Sequence, residues 1–225
     1  SVSAMGGERA LLSPNLREDC IVNNFIISSD SLYVLYSAVQ LPAREEHCGL
    51  YVVQIEGGSP IPLDPPDFSR VLDKVAVTGD SEVVLFNFRW RSSLYRVPLA
   101  GGERLPITEE ILGDIGYLIT PDNQAVIVSL YSHEGDPHKI IHYDIEEDDP
   151  NPLVEFDPED YLGLVKITPN GEYIVYDISR DSEGSLFSLH IDSGIEQQLN
   201  TPVVSDATIF NFKVTPDSMH VVYLA

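Results

Sequence analysis

One short pattern recurs five times along this chain and constrains its fold more than any other feature. A β-branched residue, Ser or Thr, a small residue or Pro, and then Asp or Asn occur at Ile27–Asp30, Val77–Asp80, Ile119–Asp122, Ile167–Asn170 and Val214–Asp217. The Asp or Asn positions lie 50, 42, 48 and 47 residues apart. A period in the forties suits a four-stranded propeller blade. Each copy also has the chemistry of a turn: Pro presets φ, while Asp or Asn bonds its own backbone and tolerates the left-handed region.

Apolar runs follow each copy at once: Leu32–Tyr36, Val83–Phe86, Ala125–Val128, Tyr173–Tyr176 and Val221–Tyr223. They are β-branched and aromatic, as buried strands require. The pattern therefore sits on the hairpin between the first and second strands of a blade. Third strands follow at Leu50–Ile55, Leu94–Leu99, Ile140–Ile145 and Leu186–Ile191. Each runs into a tight turn: Glu56-Gly57-Gly58, Ala100-Gly101-Gly102-Glu103, the acidic Glu146–Asp149, and Asp192-Ser193-Gly194. A short fourth strand such as Leu105–Ile107 comes next, and its Pro106 fits an edge position, where one N–H can be spared.

The Thr-Pro-Asp turns, the Leu-Tyr-Val-Val strand at Leu50–Val53 and the Gly-Gly-Glu turn at Gly101–Glu103 together resemble the WD40-like repeat of TolB-type β-propellers. The resemblance covers nearly the whole chain, with Ser29 and Gly79 standing where the family usually has Pro. It implies one all-β domain over 1–225 with about five four-stranded blades. Their expected bounds are 24–65, 75–108, 117–155, 164–200, and 209–225 plus 1–13. The last blade is expected to close with strands from both termini. Ser1–Leu12 reads as the end of a third strand, a turn and a fourth strand, and Phe210–Ala225 supplies only first and second strands. Joining them leaves no strand edge free. A fragment cut from a longer propeller fits the same ends. The resemblance implies an interaction scaffold and no single catalytic activity, because fold does not fix function.

The chain carries 36 acidic and 13 basic side chains, a formal net charge of −23. Such a surface repels phosphate backbones and anionic membranes. No apolar run approaches the roughly 18 residues needed to cross a bilayer. Nucleic acid and membrane insertion are therefore not expected, and a protein partner or small ligand is. The excess carboxylates also serve solubility.

In a propeller, the loops joining second to third strands and fourth to first strands share one face around the central channel, the usual place for ligands. An Asp precedes every repeat turn there: Asp19, Asp73, Asp114, Asp160 and Asp206. A ring of these carboxylates would suit Ca²⁺, which takes oxygen ligands; ordinary loop acids are the alternative. His133, Glu134, Asp136 and His138 cluster in one loop, but the spacing is not that of a zincin, and Gly135 with Pro137 precludes the helix that motif needs. Trp90 stands with Phe88, Arg89 and Arg91 in a second-to-third-strand loop, an anchor for a protein or a sugar ring unless it folds back onto its own blade. No nucleophile elbow, P-loop or dinucleotide fingerprint occurs. Spacing does not select Asp157, Glu159 and Asp160, or Asp181 and Glu183, as a glycosidase pair. The expected function is that of a non-catalytic binding scaffold acting through Trp90, Arg89, Arg91, His133 and His138, with no cofactor beyond the Ca²⁺ such a ring would take. The alternative is the propeller of a larger enzyme, either a prolyl-oligopeptidase-type peptidase or a polysaccharide lyase or hydrolase.

Under the same resemblance, Cys20 and Cys48 fall in loops on one face of the first blade. TolB-like proteins are typically extracytoplasmic, periplasmic or extracellular, where disulfides persist. A Cys20–Cys48 bridge is expected, with two unpaired thiols as the alternative.

Overall fold

The computed structural model describes all residues except 3, 4, 6, 15, 42–46, 67–70, 90–92, 110–112, 133–136, 148, 149, 182, 201–208 and 225. Among the described residues every regular element is a strand. The chain divides into two compact units, Ser1–Ile111 and Leu112–Ala225. In the first, β1 (Cys20–Ile27), β2 (Tyr33–Gln40), β3 (His47–Gln54) and β4 (Ile61–Asp64) form one antiparallel sheet. A second is formed by β5 (Leu72–Val77), β6 (Val83–Phe88), β7 (Leu94–Pro98) and β8 (Leu105–Pro106). In the second unit, β9 (Gly113–Ile119), β10 (Ala125–Ser132), β11 (His138–Asp144) and β12 (Pro150–Phe156) form a third sheet. A fourth comprises β13 (Tyr161–Ile167), β14 (Tyr173–Arg180), β15 (Glu183–His190) and β16 (Glu196–Gln198). The hairpin β17 (Asn211–Val214) and β18 (Val221–Leu224) stands as a two-stranded sheet. Strand order follows chain order in every sheet, which is the form of a propeller blade.

The predicted second and third strands coincide with these elements, except that Leu32 precedes β2 and Ile55, Leu99, Ile145 and Ile191 each stand one residue past a third strand. The first four sheets begin earlier than the apolar pattern does, at 20, 72, 113 and 161. Their opening stretches mix apolar residues with polar ones or Gly (Asn23, Asp73, Asp114, Gly163), which interrupts the hydrophobic signal there. Prolines in β4, β8 and β12 occupy outer strands, as expected of residues that cannot donate to a ladder. The turn at 145–147 needs no glycine, because Asp144 Oδ1 accepts the N–H groups of Glu146 and Glu147 at 2.7 and 3.2 Å.

The five repeat turns are built alike. The hydroxyl of Ser28, Thr78, Thr120, Thr168 or Thr215 donates to Oδ1 of Asp30, Asp80, Asp122, Asn170 or Asp217 at 2.5–2.6 Å. That oxygen also accepts the N–H two residues further on, at 2.9–3.2 Å. The hydroxyl accepts the N–H five residues after itself at 3.0 Å. Each turn then passes through a positive φ: 62° at Ser31, 64° at Ser81, 63° at Asn123, 78° at Gly171 and 63° at Ser218. The circuit needs the hydroxyl and the side-chain oxygen; the intervening Pro only presets φ, which is why Ser29 and Gly79 replace it without loss of the turn. The hydroxyl and N–H donors hold Asp30, Asp122 and Asp217 below the ordinary carboxylate range. Successive turns are also stitched together. Asp30 N–H donates to Ser81 Oγ at 3.1 Å, and Asn170 N–H to Ser218 Oγ at 3.0 Å.

First strands bulge opposite the middle of second strands, between Val22 and Asn24, Leu72 and Lys74, and Leu162 and Val165. The second-strand residues at these sites are polar and buried: Ser37, Asn87 and Asp177. Asp177 Oδ1 accepts the Leu164 N–H at 2.7 Å. A Cβ on Gly163 would lie 2.1 Å from Asp177 Oδ2, so only glycine admits the carboxylate. Burial pushes the Asp177 carboxyl up.

Cores lie between successive sheets of each unit. Leu35, Leu50 and Val52 of the first sheet meet Val84, Phe86 and Val97 of the second. Ile127, Ile140 and Phe156 of the third meet Leu162, Ile174 and Tyr176 of the fourth. Phe212 of β17 packs on Val175 and Leu186. Burying each of these large side chains contributes about 1.5–3 kcal/mol. At the N-terminus, Ser1 and Ala10 exchange backbone hydrogen bonds, and Leu12 and Leu16 pack on Val34, Tyr36 and Val53.

Candidate binding edge of the sheets

In an antiparallel meander, the second-to-third connection and the entry to the first strand leave the same end of the sheet. The opposite end carries the repeat turns, whose polar groups are already satisfied. The former end is therefore the candidate site, and most of the predicted site residues lie along it. Trp90, Arg91, His133 and Asp206 lie outside the described residues. Glu134 and Asp136 do as well.

The aspartates that enter first strands are engaged within their own sheets. Asp19 accepts from Arg17 Nε at 2.9 Å, from Arg17 Nη2, and from Gln40 Nε2 at 2.9 Å. The Arg17 guanidinium beside it holds its carboxyl below the ordinary range. Asp73 accepts from Arg89 Nε at 3.2 Å and Asn87 Nδ2 at 3.3 Å. Asp160 accepts from Arg180 Nε at 2.7 Å, while Arg180 Nη2 lies 2.9 Å from Asp157. Those two carboxylates hold the Arg180 guanidinium above its usual value, Asp160 contributing more. Asp114 is exposed and pairs in register with Tyr131. Among the described residues, no three His, Cys, Asp or Glu side chains are grouped to hold a metal. His138 begins β11 opposite Phe156, its ring 6.3 Å from that of Tyr131.

Arg89 was singled out by the sequence; Gln40, Arg180 and Arg17 were not. A positional signal existed. Gln40, Arg89 and Arg180 stand ten, nine and ten residues beyond Asp30, Asp80 and Asn170, where second strands end. Two further groups lie under the edge of the first unit. Cys20 and Cys48 form a disulfide, with Cα atoms 6.3 Å apart. It crosses over β2 above Ala38, and the small side chain leaves room for it. His47 and Asp64, both buried, meet at 2.9 Å between Nε2 and Oδ2. Arg104 bonds the other Asp64 oxygen and lies 4.7 Å over the Tyr95 ring. This network ties the first sheet to the second, and buried charges of this kind hold only while every partner is present.

No protein-family model matches the sequence, and no curated protein is significantly similar to it. Solved structures do match its fold. A prolyl endopeptidase gives a TM-score of 0.65 at 18% identity, over 86% of this chain and 31% of that one. The putative TolB from Agrobacterium tumefaciens gives 0.57 at 17%, over 90% and 69%. An oligogalacturonate lyase in complex with manganese gives 0.62 at 14%, over 88% and 57%. The chain thus spans less than a third of the prolyl endopeptidase and a little over half of the lyase. At these identities the likeness is one of fold, and it reaches proteins with different chemistries.

Proposed function

We propose that the chain is a TolB-like propeller scaffold that binds a protein or a small ligand, without catalysis, through the loop end of its sheets. One observation carries this reading. In the first, second and fourth sheets that end is lined by arginine–aspartate pairs (Arg17–Asp19, Arg89–Asp73, Arg180–Asp160), which offer charge and hydrogen bonding, with no nucleophile beside a base among these pairs. Exposed pairs contribute little to folding, so their arginines can exchange partners. No cofactor is part of the proposal, since the arginines take up oxygens a calcium ion would need. The architecture proposed is a propeller of about five blades. The net charge argues against nucleic acid, and the Cys20–Cys48 bridge favours an extracytoplasmic location.

The test is paired capture from native extract, with the chain and an Arg89→Glu, Arg180→Glu variant as baits. A partner retained by the first and lost by the second supports the reading. An unchanged set of partners, or turnover of a proline peptide or an oligogalacturonide by the chain, overturns it. The coverage figures favour a second reading, in which the chain is the propeller part of a longer peptidase or lyase. In that case the same loop end faces a catalytic domain of the parent protein.

A further inference from the structure

Four of the five repeat turns carry Asp at the position that accepts both the hydroxyl and the N–H; the fifth carries Asn170. The residue that follows is Ser31, Ser81, Asn123 or Ser218 in the other four and Gly171 in this one. The result is an Asn-Gly pair, the sequence in which an unhindered backbone nitrogen most readily attacks a side-chain amide. We propose that Asn170-Gly171 is a latent deamidation site that the folded turn holds shut. Its aspartate product refits the turn, and its isoaspartate product unfastens it.

The chemistry needs only water. The Gly171 nitrogen bonds to Asn170 Cγ, the Cγ–Nδ2 bond breaks, and ammonia leaves with the proton of the Gly171 amide. The cyclic imide then takes up one water and opens at either carbonyl. One opening gives aspartate; the other gives isoaspartate, with the main chain rerouted through the side chain and lengthened by one carbon.

Every atom of the first step is tied down. Gly171 N–H donates to Thr168 O at 2.8 Å. Asn170 Oδ1 accepts from Thr168 Oγ1 at 2.6 Å and from Glu172 N–H at 3.2 Å, and Nδ2 donates to Glu172 Oε2 at 2.7 Å. Attack requires the side chain to leave all three partners, so conversion proceeds from the locally opened turn. An aspartate at 170 keeps Oδ1 and both donors, as Asp30, Asp80, Asp122 and Asp217 do in their own turns. An Asp at 170 gives up the Nδ2 bond to Glu172, whose exposed carboxylate can turn to water; the second turn carries the same Asp–x–Glu sequence at Asp80 and Glu82. Isoaspartate shifts Oδ1 and the amide nitrogen together. It breaks the Thr168 and Glu172 bonds and the Asn170 N–H bond to Ser218, which joins this turn to that of β17–β18.

Peptide mapping by mass spectrometry after incubation at mildly alkaline pH tests this, with the chain kept folded or held in concentrated urea. Conversion at Asn170 should be at least about tenfold slower in the folded chain, and a Gly171→Ser variant should slow it further in both. The Asn170→Asp variant should melt with the wild type, while Asn170→Ala melts lower. Equal rates in buffer and urea would overturn the proposal. So would an Asn170→Asp variant that loses as much as Asn170→Ala.

Discussion

Replacing Thr120 with Val tests the turn circuit most directly, because valine keeps the shape and removes only the oxygen. Thr120 and Ala125 are both buried. The Ala125 N–H, which donates to Thr120 Oγ1 at 3.0 Å, loses its acceptor in a place water does not reach. An orphaned buried N–H costs about 1–3 kcal/mol. The lost 2.6 Å bond to Asp122 costs about 1 kcal/mol more, since that exposed carboxylate can turn to water. The expected loss is about 3 kcal/mol. Thr215→Val deletes the same atoms from a turn where His220 is exposed, so the freed N–H finds water and the loss falls to about 1 kcal/mol. Both sites lie in the second unit, so urea unfolding followed by far-ultraviolet circular dichroism compares them within one compact body. For a slope near 2 kcal/mol per molar urea, Thr120→Val should lower the midpoint by about 1.5 M, and Thr215→Val by about 0.5 M. Equal shifts would refute the argument, because they would mean that burial does not set the cost of the missing oxygen.

Further outcomes follow from named contacts. A Cys20→Ala, Cys48→Ala variant should lose about 3–4 kcal/mol, as chain entropy gives for a 28-residue separation; a midpoint unchanged in urea would show that the bridge closes nothing the sheet does not already close. Asp30, Asp122 and Asp217 have depressed carboxyls, so the stability they add is present above the unfolded value of 3.8 and lost as pH falls through their lower folded values. Melting temperature should therefore hold down to about pH 5 and drop below about pH 4. Asp177 has the opposite sign, its ionised form costing stability, so Asp177→Asn should raise the melting temperature at neutral pH and leave the acid limb in place. Gly171→Ser gives Asp122 N–H the bond that Ser81 gives Asp30, about 0.5–1.5 kcal/mol, but sets a side chain at φ 78°, so the two effects should nearly offset and the melting temperature should change little. Calcium should leave the melting temperature unmoved while Arg17, Arg89 and Arg180 hold Asp19, Asp73 and Asp160, and a rise with concentration would place those carboxylates in a common site.

Much of the fold was written in local chemistry. The Ser/Thr and Asp/Asn of each turn act on neighbours two and five residues away, the second strands carry apolar runs, and the third strands are rich in Leu, Ile, Val, Tyr and Phe. Both signals survive in a single sequence. The first strands were harder to place because polar residues or Gly interrupt their opening stretches, and their bulges are answered by one polar residue such as Asn87 or Asp177 on the next strand. The candidate edge was half legible. The aspartates stood out by recurrence, but apart from Arg17, two residues from Asp19, their partners Gln40, Arg89 and Arg180 lie far along the chain. Only the register of first against second strands brings them together. His47, Asp64 and Arg104 were illegible for the same reason: three elements in two sheets supply one network.

The stitch from turn to turn has a consequence for how this molecule comes apart. Where a serine hydroxyl reaches back to the preceding turn, at Ser81 and Ser218, opening one repeat withdraws a bond from the one before it. Stability there is a nearest-neighbour quantity, and those repeats should melt as pairs. Gly171 offers no hydroxyl to Asp122, so the joint between the third and fourth sheets lacks this stitch. Under slow heating it is the point where hydrogen exchange should first reveal a seam, with the fourth sheet and the last hairpin letting go together.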